Sequence, residues 1–430
     1  MAQINPRIVG SRSVDIQKAL QDITVSAPHY YFDKTMRVGK AALVAANIRG
    51  FDYLTPEQVD VMSVELGIVP TEVKSAILPT LEEIDIIRLI KGPTGKLRRV
   101  EEKIPRVIHL IEQLGKYLGE LEPNPIETSG IEALQMTTTR PVSRSKLREQ
   151  ITELKDEDFS ILMDCGKTGR FLDEYISPGK EVEVYSPMIW NERSDDVMQM
   201  YSLLSKVQKN QLITMADAVR SYPGKPLDLL SAPNPALLGQ AIGSGFFEKC
   251  SVATRKGTKD YLFAPNPKFR MATEGVRQCD LFDKAKIILS CVRHGQHYAE
   301  ITKVLYPDKL LQKLLDRGYL KPHSEFKEQY ALCELHGIFR TEPASGGRDY
   351  LRLIDTDENR QAVEAVIDII SLTHEAITAS VVNTEARALL MSGNFINPAR
   401  NRARIREPTQ ITYKTLNDML ERLRGATIDE

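Results

Sequence analysis

The sequence has few of the residues that mark a disulfide scaffold, a zinc ribbon or a membrane protein. It contains five cysteines and one tryptophan in 430 residues. The cysteines are scattered without a C-x-x-C pair, which excludes both a disulfide framework and a zinc ribbon. No apolar run approaches the ~20 residues that span a bilayer, and the first residues, MAQINPRIVGSRS, lack the apolar stretch of a signal peptide. We therefore expect a cytoplasmic, reducing location and no membrane partner.

An excess of charge of one sign is also missing. There are 57 basic and 58 acidic side chains, which gives a net charge of −1. A protein that coats nucleic acid is usually clearly basic. Any contact with nucleic acid must therefore come from local clusters of charge.

Motifs for catalysis, cofactors or metals are not found. The stretch DCGKTGR (164–170) lacks the first glycine of a phosphate loop, because Ile161 occupies that position. His294 with His297, and Cys333 with His336, are single pairs without a second pair at zinc-ligand spacing. No G-x-S-x-G motif is present. We expect no metal, no cofactor and no enzymatic activity; an enzyme that uses residues far apart in sequence stays open as a third possibility.

Residues 34–103 show a pattern of two helices, a tight turn, a third helix and a hairpin. Thr55 is placed to cap the second helix, with Gln58 at capping-box spacing and Gly67 as the left-handed stop. The stretch IDIIRLIKGPTGKLRRVEEK then predicts two strands around a Gly-Pro-Thr-Gly turn.

This order of elements resembles the winged helix-turn-helix superfamily, with LGIVPTEVKSAIL (66–78) at the position of the family's core motif. Two more segments resemble it. Residues 194–265 contain the hairpin FFEKCSVATRKGTKDYLFAP, and residues 281–355 contain the hairpin IFRTEPASGGRDYLRLID. The resemblance implies a mainly α fold with small β-hairpins, in which winged-helix domains follow one another in tandem.

The predicted domain organisation has six parts. They are an N-terminal segment (1–33), a first winged helix with a heptad helix (34–121), a Pro-, Ser- and Thr-rich linker (122–145), a second winged helix with an N-terminal elaboration (146–280), a third winged helix (281–355), and a helical C-terminal region with a basic segment (356–430).

The resemblance implies that the third helix of a unit enters the major groove of DNA while the wing contacts the backbone. The predicted nucleic-acid contacts are Thr71, Lys74 and Ser75 on the first third helix, Lys96, Arg98 and Arg99 on the first wing, Arg255, Lys256 and Lys259 on the second wing, and Arg400, Arg402 and Arg404 in the basic segment. Two alternatives stay open. Cations on an edge strand also guard against strand pairing, and the basic segment also fits a solvated connector.

The third predicted winged helix differs in charge. Glu325 and Glu328 lie near the start of its third helix, where carboxylates would repel phosphate. We therefore predict that this unit is structural or binds protein, despite Arg340 and Arg348.

The helix after the first wing carries a heptad-like seam. Its apolar residues are spaced alternately by three and four positions, at Ile104, Val107, Ile111, Leu114 and Leu118. Such a seam predicts pairing of two protomers into a homodimer. Packing of the same face within one chain is the alternative.

From these features we expect a non-enzymatic protein that binds double-stranded DNA, as a transcriptional regulator or a DNA-associated accessory factor. The alternative is a protein–protein adaptor, or a scaffold subunit of a larger assembly, which the near-zero net charge favours. DNA affinity that falls steeply with salt would distinguish the two functions.

Overall fold

Helices dominate the chain, and its described strands belong to small antiparallel sheets. The computed structural model describes residues 5–376, apart from residues 22, 24–25, 50, 104–106, 139, 180, 191–192, 265–274, 300 and 302. These residues form two compact units, which meet in the sequence between Thr128 and Ser129. The predicted fold class, mainly α with small β-hairpins, is confirmed. Within the part of the chain that the structure describes, no helix combines the length and the hydrophobicity of a bilayer span.

Four modules share one order of elements among the described residues. In each module a helix leads into a short strand, helical segments follow, and a hairpin closes the module. The short strand pairs with the second strand of the hairpin, which is therefore the central strand. The strands are β1 (Tyr53–Leu54), β2 (Ile87–Lys91) and β3 (Leu97–Glu102) in the first module, β4 (Val142–Ser143), β5 (Asp173–Ile176) and β6 (Val182–Tyr185) in the second, β7 (Lys225–Pro226), β8 (Glu248–Thr254) and β9 (Gly257–Phe263) in the third, and β10 (Tyr319–His323), β11 (Phe339–Ala344) and β12 (Arg348–Leu353) in the fourth.

The N-terminal unit contains the first module and the helices around it. Its helical segments are α1 (Pro6–Leu20), α2 (Ser26–Tyr31), α3 (Asp33–Ile48), α4 (Pro56–Glu65), α5 (Pro70–Glu72), a π-helical turn (Val73–Ile77), α6 (Leu78–Glu83) and α7 (Val107–Glu120). The predicted capping box starts α4: the amide of Gln58 donates to Oγ1 of Thr55 over 3.3 Å, and the amide of Thr55 donates to Oε1 of Gln58 over 2.8 Å. Gly67, with φ of +66°, provides the predicted left-handed stop after α4.

Helices α5 and α6 form one continuous helix that widens into a π-helical turn because Pro79 lies inside it. Proline has no amide hydrogen, and its ring would collide with the carbonyl group four residues earlier. The amide of Leu78 instead donates to the carbonyl oxygen of Val73, five residues back. Val73 is buried, whereas Thr71 and Ser75 are exposed. The helix therefore presents these two hydroxyl groups to solvent.

Helix α7 packs against α1 and α3, and this contact uses the heptad seam. Ile111, Leu114 and Leu118 are buried within the N-terminal unit. The chain's own helices therefore cover these three side chains, which agrees with the intramolecular alternative. Ile104 and the side chain of Val107 lie outside the described residues.

The segment predicted to be a linker (122–145) is instead mostly helical and contains α8 (Pro125–Thr137). Asn124 and Glu127 form a capping box. The amide of Glu127 donates to Oδ1 of Asn124, and the amide of Asn124 donates to Oε2 of Glu127, each over 3.0 Å. Pro125 suits the first position of the helix. The proline and the polar residues that indicated a linker therefore start a helix.

The C-terminal unit contains the other three modules. Its further helices are α9 (Arg144–Gln150), α10 (Asp156–Thr168), α11 (Pro187–Trp190), α12 (Ser194–Ser202), α13 (Lys206–Ser221), a 3₁₀ turn (Leu227–Leu229), α14 (Pro235–Ser244), α15 (Gly275–His297), α16 (Pro307–Arg317), α17 (Phe326–Gln329), α18 (Ala331–Leu335) and α19 (Asp357–Ala376). The hairpins predicted within 246–265 and 338–355 are both present as antiparallel pairs.

Two predicted boundaries in this unit are wrong. The elaboration placed before the second winged helix, within 146–280, is a complete module: β4, α9, α10, β5 and β6 follow α8 in the order of the other modules. The boundary at 281 falls inside α15, whose apolar residues Ile288 and Val292 are buried in the core of the fourth module. The C-terminal region begins with the expected helix, α19, and residues 377–430 lie outside the described residues.

Candidate nucleic-acid interface

The hairpin of the first module exposes cations without anionic partners. Arg88, Lys91, Lys96 and Arg98 are exposed. Among the described residues, no carboxylate lies within ion-pair distance of any of the four. The turn between the strands is closed by hydrogen bonds between backbone atoms of Gly92 and its neighbours, including the amide of Gly92 to the carbonyl oxygen of Lys96 over 2.8 Å. The hairpin therefore holds four cations outside ion pairs in a short, ordered segment, although Arg88 lies directly opposite Glu101 in the sheet.

Arg99, the third predicted cation of this wing, has a different environment. Its guanidinium pairs with Glu101 over 2.5 Å and lies 5.7 Å from the centre of the Tyr53 ring. Tyr53 lies directly opposite Glu101 in the sheet. Arg99 is therefore part of a Tyr–Arg–Glu group on the outer face of the sheet and is less available to an anion than its neighbours.

The helix beside the hairpin offers hydroxyl groups rather than free charge. Lys74, a predicted contact, pairs with Asp60 over 2.6 Å, and Glu72 pairs with Lys40 over 2.6 Å. Thr71 remains exposed, as does Ser75. Hydroxyl groups of this kind hydrogen-bond phosphate or base edges without adding charge.

Glu82 ties the helix to the hairpin. Its Oε1 accepts the amide hydrogen of Leu89 in β2 over 2.8 Å. The amide of Ile86 also donates to the carbonyl oxygen of Leu81 over 2.9 Å. These bonds fix the start of β2 to the end of α6, so the exposed hydroxyls and the exposed cations belong to one rigid segment.

The hairpin of the third module uses its predicted contacts within the chain. Arg255 pairs with Glu328 of the fourth module over 3.0 Å. Lys259 pairs with Asp228 over 2.6 Å and lies 4.5 Å from the centre of the Tyr298 ring. Lys256 is exposed between them in sequence.

Packing below this hairpin agrees with its ion pairs. Val252 and Tyr261, one from each strand, share a hydrophobic core with Ile288 of α15 and with the buried residues of the fourth module. One side of the hairpin is therefore covered by the fourth module, and Arg255 and Lys259 are held by carboxylates of the same unit.

The histidines considered as metal ligands are hydrogen-bonded to tyrosines. Nδ1 of His294 lies 2.9 Å from the hydroxyl of Tyr261, and Nε2 of His297 lies 2.9 Å from the hydroxyl of Tyr222. Burial lowers the pKa of both histidines, which favours their neutral forms. The described residues contain no group of three or more metal-ligating side chains.

Sequence reasoning missed Arg88 and Tyr53. Arg88 follows Ile87 in a mostly apolar strand. A charged residue at that position was the available signal, because it indicates a strand face exposed to solvent. The partner of Tyr53 comes from a strand more than forty residues away, so only the fold brings Tyr53 to Arg99. Arg400, Arg402 and Arg404 lie outside the described residues. Comparison of the sequence with protein-family models gives no match, and comparison with curated proteins gives none either.

Proposed function

We propose that this chain is a non-enzymatic protein that binds double-stranded DNA, built from modules of the winged helix-turn-helix kind. The order of helix, short strand, helical segments and hairpin, with the last strand central, supports that assignment. The observation that carries the function is the first hairpin, where Arg88, Lys91, Lys96 and Arg98 are exposed without anionic partners among the described residues.

In this proposal the hairpin supplies most of the affinity. Cations that neutralise phosphates release condensed counterions, and this term dominates non-specific binding. The continuous helix α5–α6 then lies against a groove through Thr71 and Ser75. Lys74 contributes less, because its ammonium group already pairs with Asp60.

The other modules have a supporting role. The hairpin of the third module packs on the fourth module, and its cations Arg255 and Lys259 are paired within the chain. Among the described residues, we therefore assign the primary DNA contact to the first module. The cellular role would be that of a transcriptional regulator or an accessory factor in the cytoplasm.

Fluorescence anisotropy with a labelled random-sequence duplex tests this function. Affinity should fall steeply between about 50 and 200 mM salt. Lys96→Ala should weaken binding and reduce the slope of log affinity against log salt by about 0.9, the share of one phosphate contact. Lys116→Ala, which removes an exposed lysine that pairs with Glu112 on α7, is the control and should leave the slope unchanged. Absence of duplex affinity at the lowest salt would refute the proposal.

A protein adaptor is the second candidate, and one local feature favours it. Ile301, Leu305 and Tyr306 lie close together in sequence before α16 and are 69, 73 and 62% exposed. Clustered exposed apolar side chains often mark protein contacts. Under this function the duplex affinity would be weak at every salt concentration, so the same titration separates the two candidates.

A further inference from the structure

The outer face of the fourth sheet is cationic and aromatic. Along β12, Leu351 and Leu353 are buried, so Arg348, Tyr350 and Arg352 point to the opposite face by the alternation of a strand. The register places Arg352 opposite both Tyr319 of β10 and Arg340 of β11, and Tyr350 opposite Glu342 of β11. Lys321 lies two residues after Tyr319, beyond the buried Leu320, and is exposed where the pairing of β10 with β12 becomes irregular. The face therefore consists of Tyr319, Lys321, Arg340, Glu342, Ala344, Arg348, Tyr350 and Arg352.

The two tyrosines on this face are fixed around one guanidinium. Arg352 lies 5.4 Å from the ring centre of Tyr319 and 5.9 Å from that of Tyr350. The two ring centres are 6.1 Å apart at an angle of 69°. Glu342 holds Arg352 in place through an ion pair. The rings are thus pre-ordered, and Tyr319 remains 38% exposed.

The cations on this face outnumber its carboxylates. It carries four cations and one carboxylate, and that carboxylate, Glu342, is shared by Arg352 and Arg340, the latter at 3.1 Å. Lys321 and Arg348 are exposed. Neither has a carboxylate within ion-pair distance in the described part of the chain. The nearby Asp349 belongs to the other side of β12 by alternation.

The composition of the face limits what it can bind. This face has no aliphatic side chain larger than Ala344, so its cations and its two aromatic rings determine what it can bind. A polyanion that also offers flat rings complements it in both charge and shape. Proteins that bind single strands combine cationic grooves with aromatic side chains on which bases stack.

We propose that this outer face binds single-stranded nucleic acid, with a base stacked on Tyr319 and phosphates at Arg340, Arg348 and Lys321. The first sheet repeats part of the arrangement, since Arg99 lies over Tyr53 and pairs with Glu101. The proposal differs from the expectation that this module is structural or binds protein. It does not depend on duplex binding by the first module.

The test uses the full chain and fluorescein-labelled oligo(dT) in anisotropy titrations. Arg348→Ala should weaken binding and reduce the salt slope by about 0.7, the share of one charge on a single strand. Tyr319→Ala should lower affinity about fivefold or more, whereas Tyr319→Phe should bind as the wild type, because a phenyl ring also stacks. Arg317→Ala, which removes an exposed arginine from α16, is the charge-matched control and should change little.

Several results would overturn the proposal. They are no affinity for oligo(dT), equal losses for Arg317→Ala and Arg348→Ala, or equal binding by Tyr319→Ala and the wild type. Loss of oligo(dT) binding in Lys96→Ala/Arg98→Ala, with none in the fourth-sheet variants, would also overturn it by assigning the contact to the first hairpin. Duplex titrations on the same variants are measured separately. Loss of duplex binding, which would refute the proposed function, can therefore be distinguished from loss of oligo(dT) binding. Tyr319→Phe and Arg348→Ala keep the test valid if Tyr319→Ala does not fold.

Discussion

Gly115 and Pro6 meet where α7 crosses α1: a β-carbon on Gly115 would lie 1.8 Å from the carbonyl oxygen of Pro6. Gly10 makes a second close approach: a β-carbon added there would lie 2.2 Å from the carbonyl oxygen of Ile111. Both neighbours are backbone atoms, which cannot swing aside as the end of a side chain can. The two helices therefore approach at a distance that only glycine allows, and this crossing covers the heptad seam.

Replacement of Gly115 by alanine should separate these helices and destabilise the N-terminal unit. The expected loss in the free energy of unfolding is about 1–3 kcal/mol, the usual cost of overpacking. Gly119→Ala is the matched control, because a β-carbon there meets nothing within 4 Å. That variant should be neutral or gain up to about 1 kcal/mol from helix propensity. Urea unfolding followed by circular dichroism measures both, and equal midpoints for Gly115→Ala and the wild type would contradict the close crossing.

We predict that mild acid lowers the stability of the C-terminal unit, because two of its histidines are buried or half-buried. Burial lowers the pKa of His294 and His297 below the usual value for histidine. In the unfolded chain each histidine takes up a proton near its ordinary pKa of about 6.5, while the folded chain resists protonation. Their contribution to stability is therefore complete above that pH and is lost as the pH falls through it.

The free energy of unfolding should accordingly fall between about pH 7 and pH 5. His294→Gln cannot be protonated, so it should show a smaller fall over the same interval. His336→Gln, which replaces an exposed histidine, is the control and should follow the wild type. Urea titrations at the two pH values measure the difference. An unchanged pH dependence in His294→Gln would show that His294 does not carry the effect.

The buried thiols should resist modification in the folded protein. Burial raises the pKa of Cys165 to about 11 and raises that of Cys333 well above its usual value. Only the thiolate reacts with DTNB, so at about pH 8 roughly one Cys165 thiol in a thousand is reactive. Cys291, whose Sγ lies 3.6 Å from that of Cys333, is buried as well.

DTNB absorbance should therefore show slow reaction of Cys165, Cys291 and Cys333 in the folded state and rapid reaction in denaturant. The variant Cys279→Ser removes a thiol to which this prediction does not apply, so that it adds nothing to the DTNB absorbance. Fast reaction of more than one thiol in the folded Cys279→Ser protein would contradict the burial of these three side chains.

Local signals predicted much of the first module. The capping box of Thr55 and Gln58, the stop at Gly67 and the Gly-Pro-Thr-Gly turn act over a few residues, so the sequence displays them directly. The same kind of signal was misinterpreted at Asn124. Its capping box with Glu127 lay in a stretch rich in proline and hydroxyl residues, and composition indicated a linker there.

The second module was missed because its sheet is small. Strand β4 has two residues, and β5 is the acidic stretch DEYI, which has little of the apolar alternation that identifies a strand. Pairing of β5 with β6 is visible only in the structure.

Contacts between segments far apart in the chain, at the α7 seam and around the candidate cations, could not be predicted from the sequence either. The apolar seam of α7 indicated a buried face, but α1, which covers it and carries the second close-contact glycine, Gly10, belongs to a distant segment. Similarly, Arg255 and Glu328 lie 73 positions apart in the chain. The sequence shows the cation of such a pair without showing its neutralising partner.

The contrast between the two basic hairpins gives a final prediction. Arg255→Ala/Lys259→Ala and Lys96→Ala/Arg98→Ala each remove two cations from a hairpin. The first pair is already matched by Glu328 and Asp228, whereas the second has no carboxylate partner among the described residues. Lys96→Ala/Arg98→Ala should therefore reduce the salt slope of duplex binding by about 1.8, and the other double variant should leave it nearly unchanged. Equal reductions in duplex anisotropy titrations would show that the intramolecular ion pairs open on binding, and would return the third module to the DNA interface.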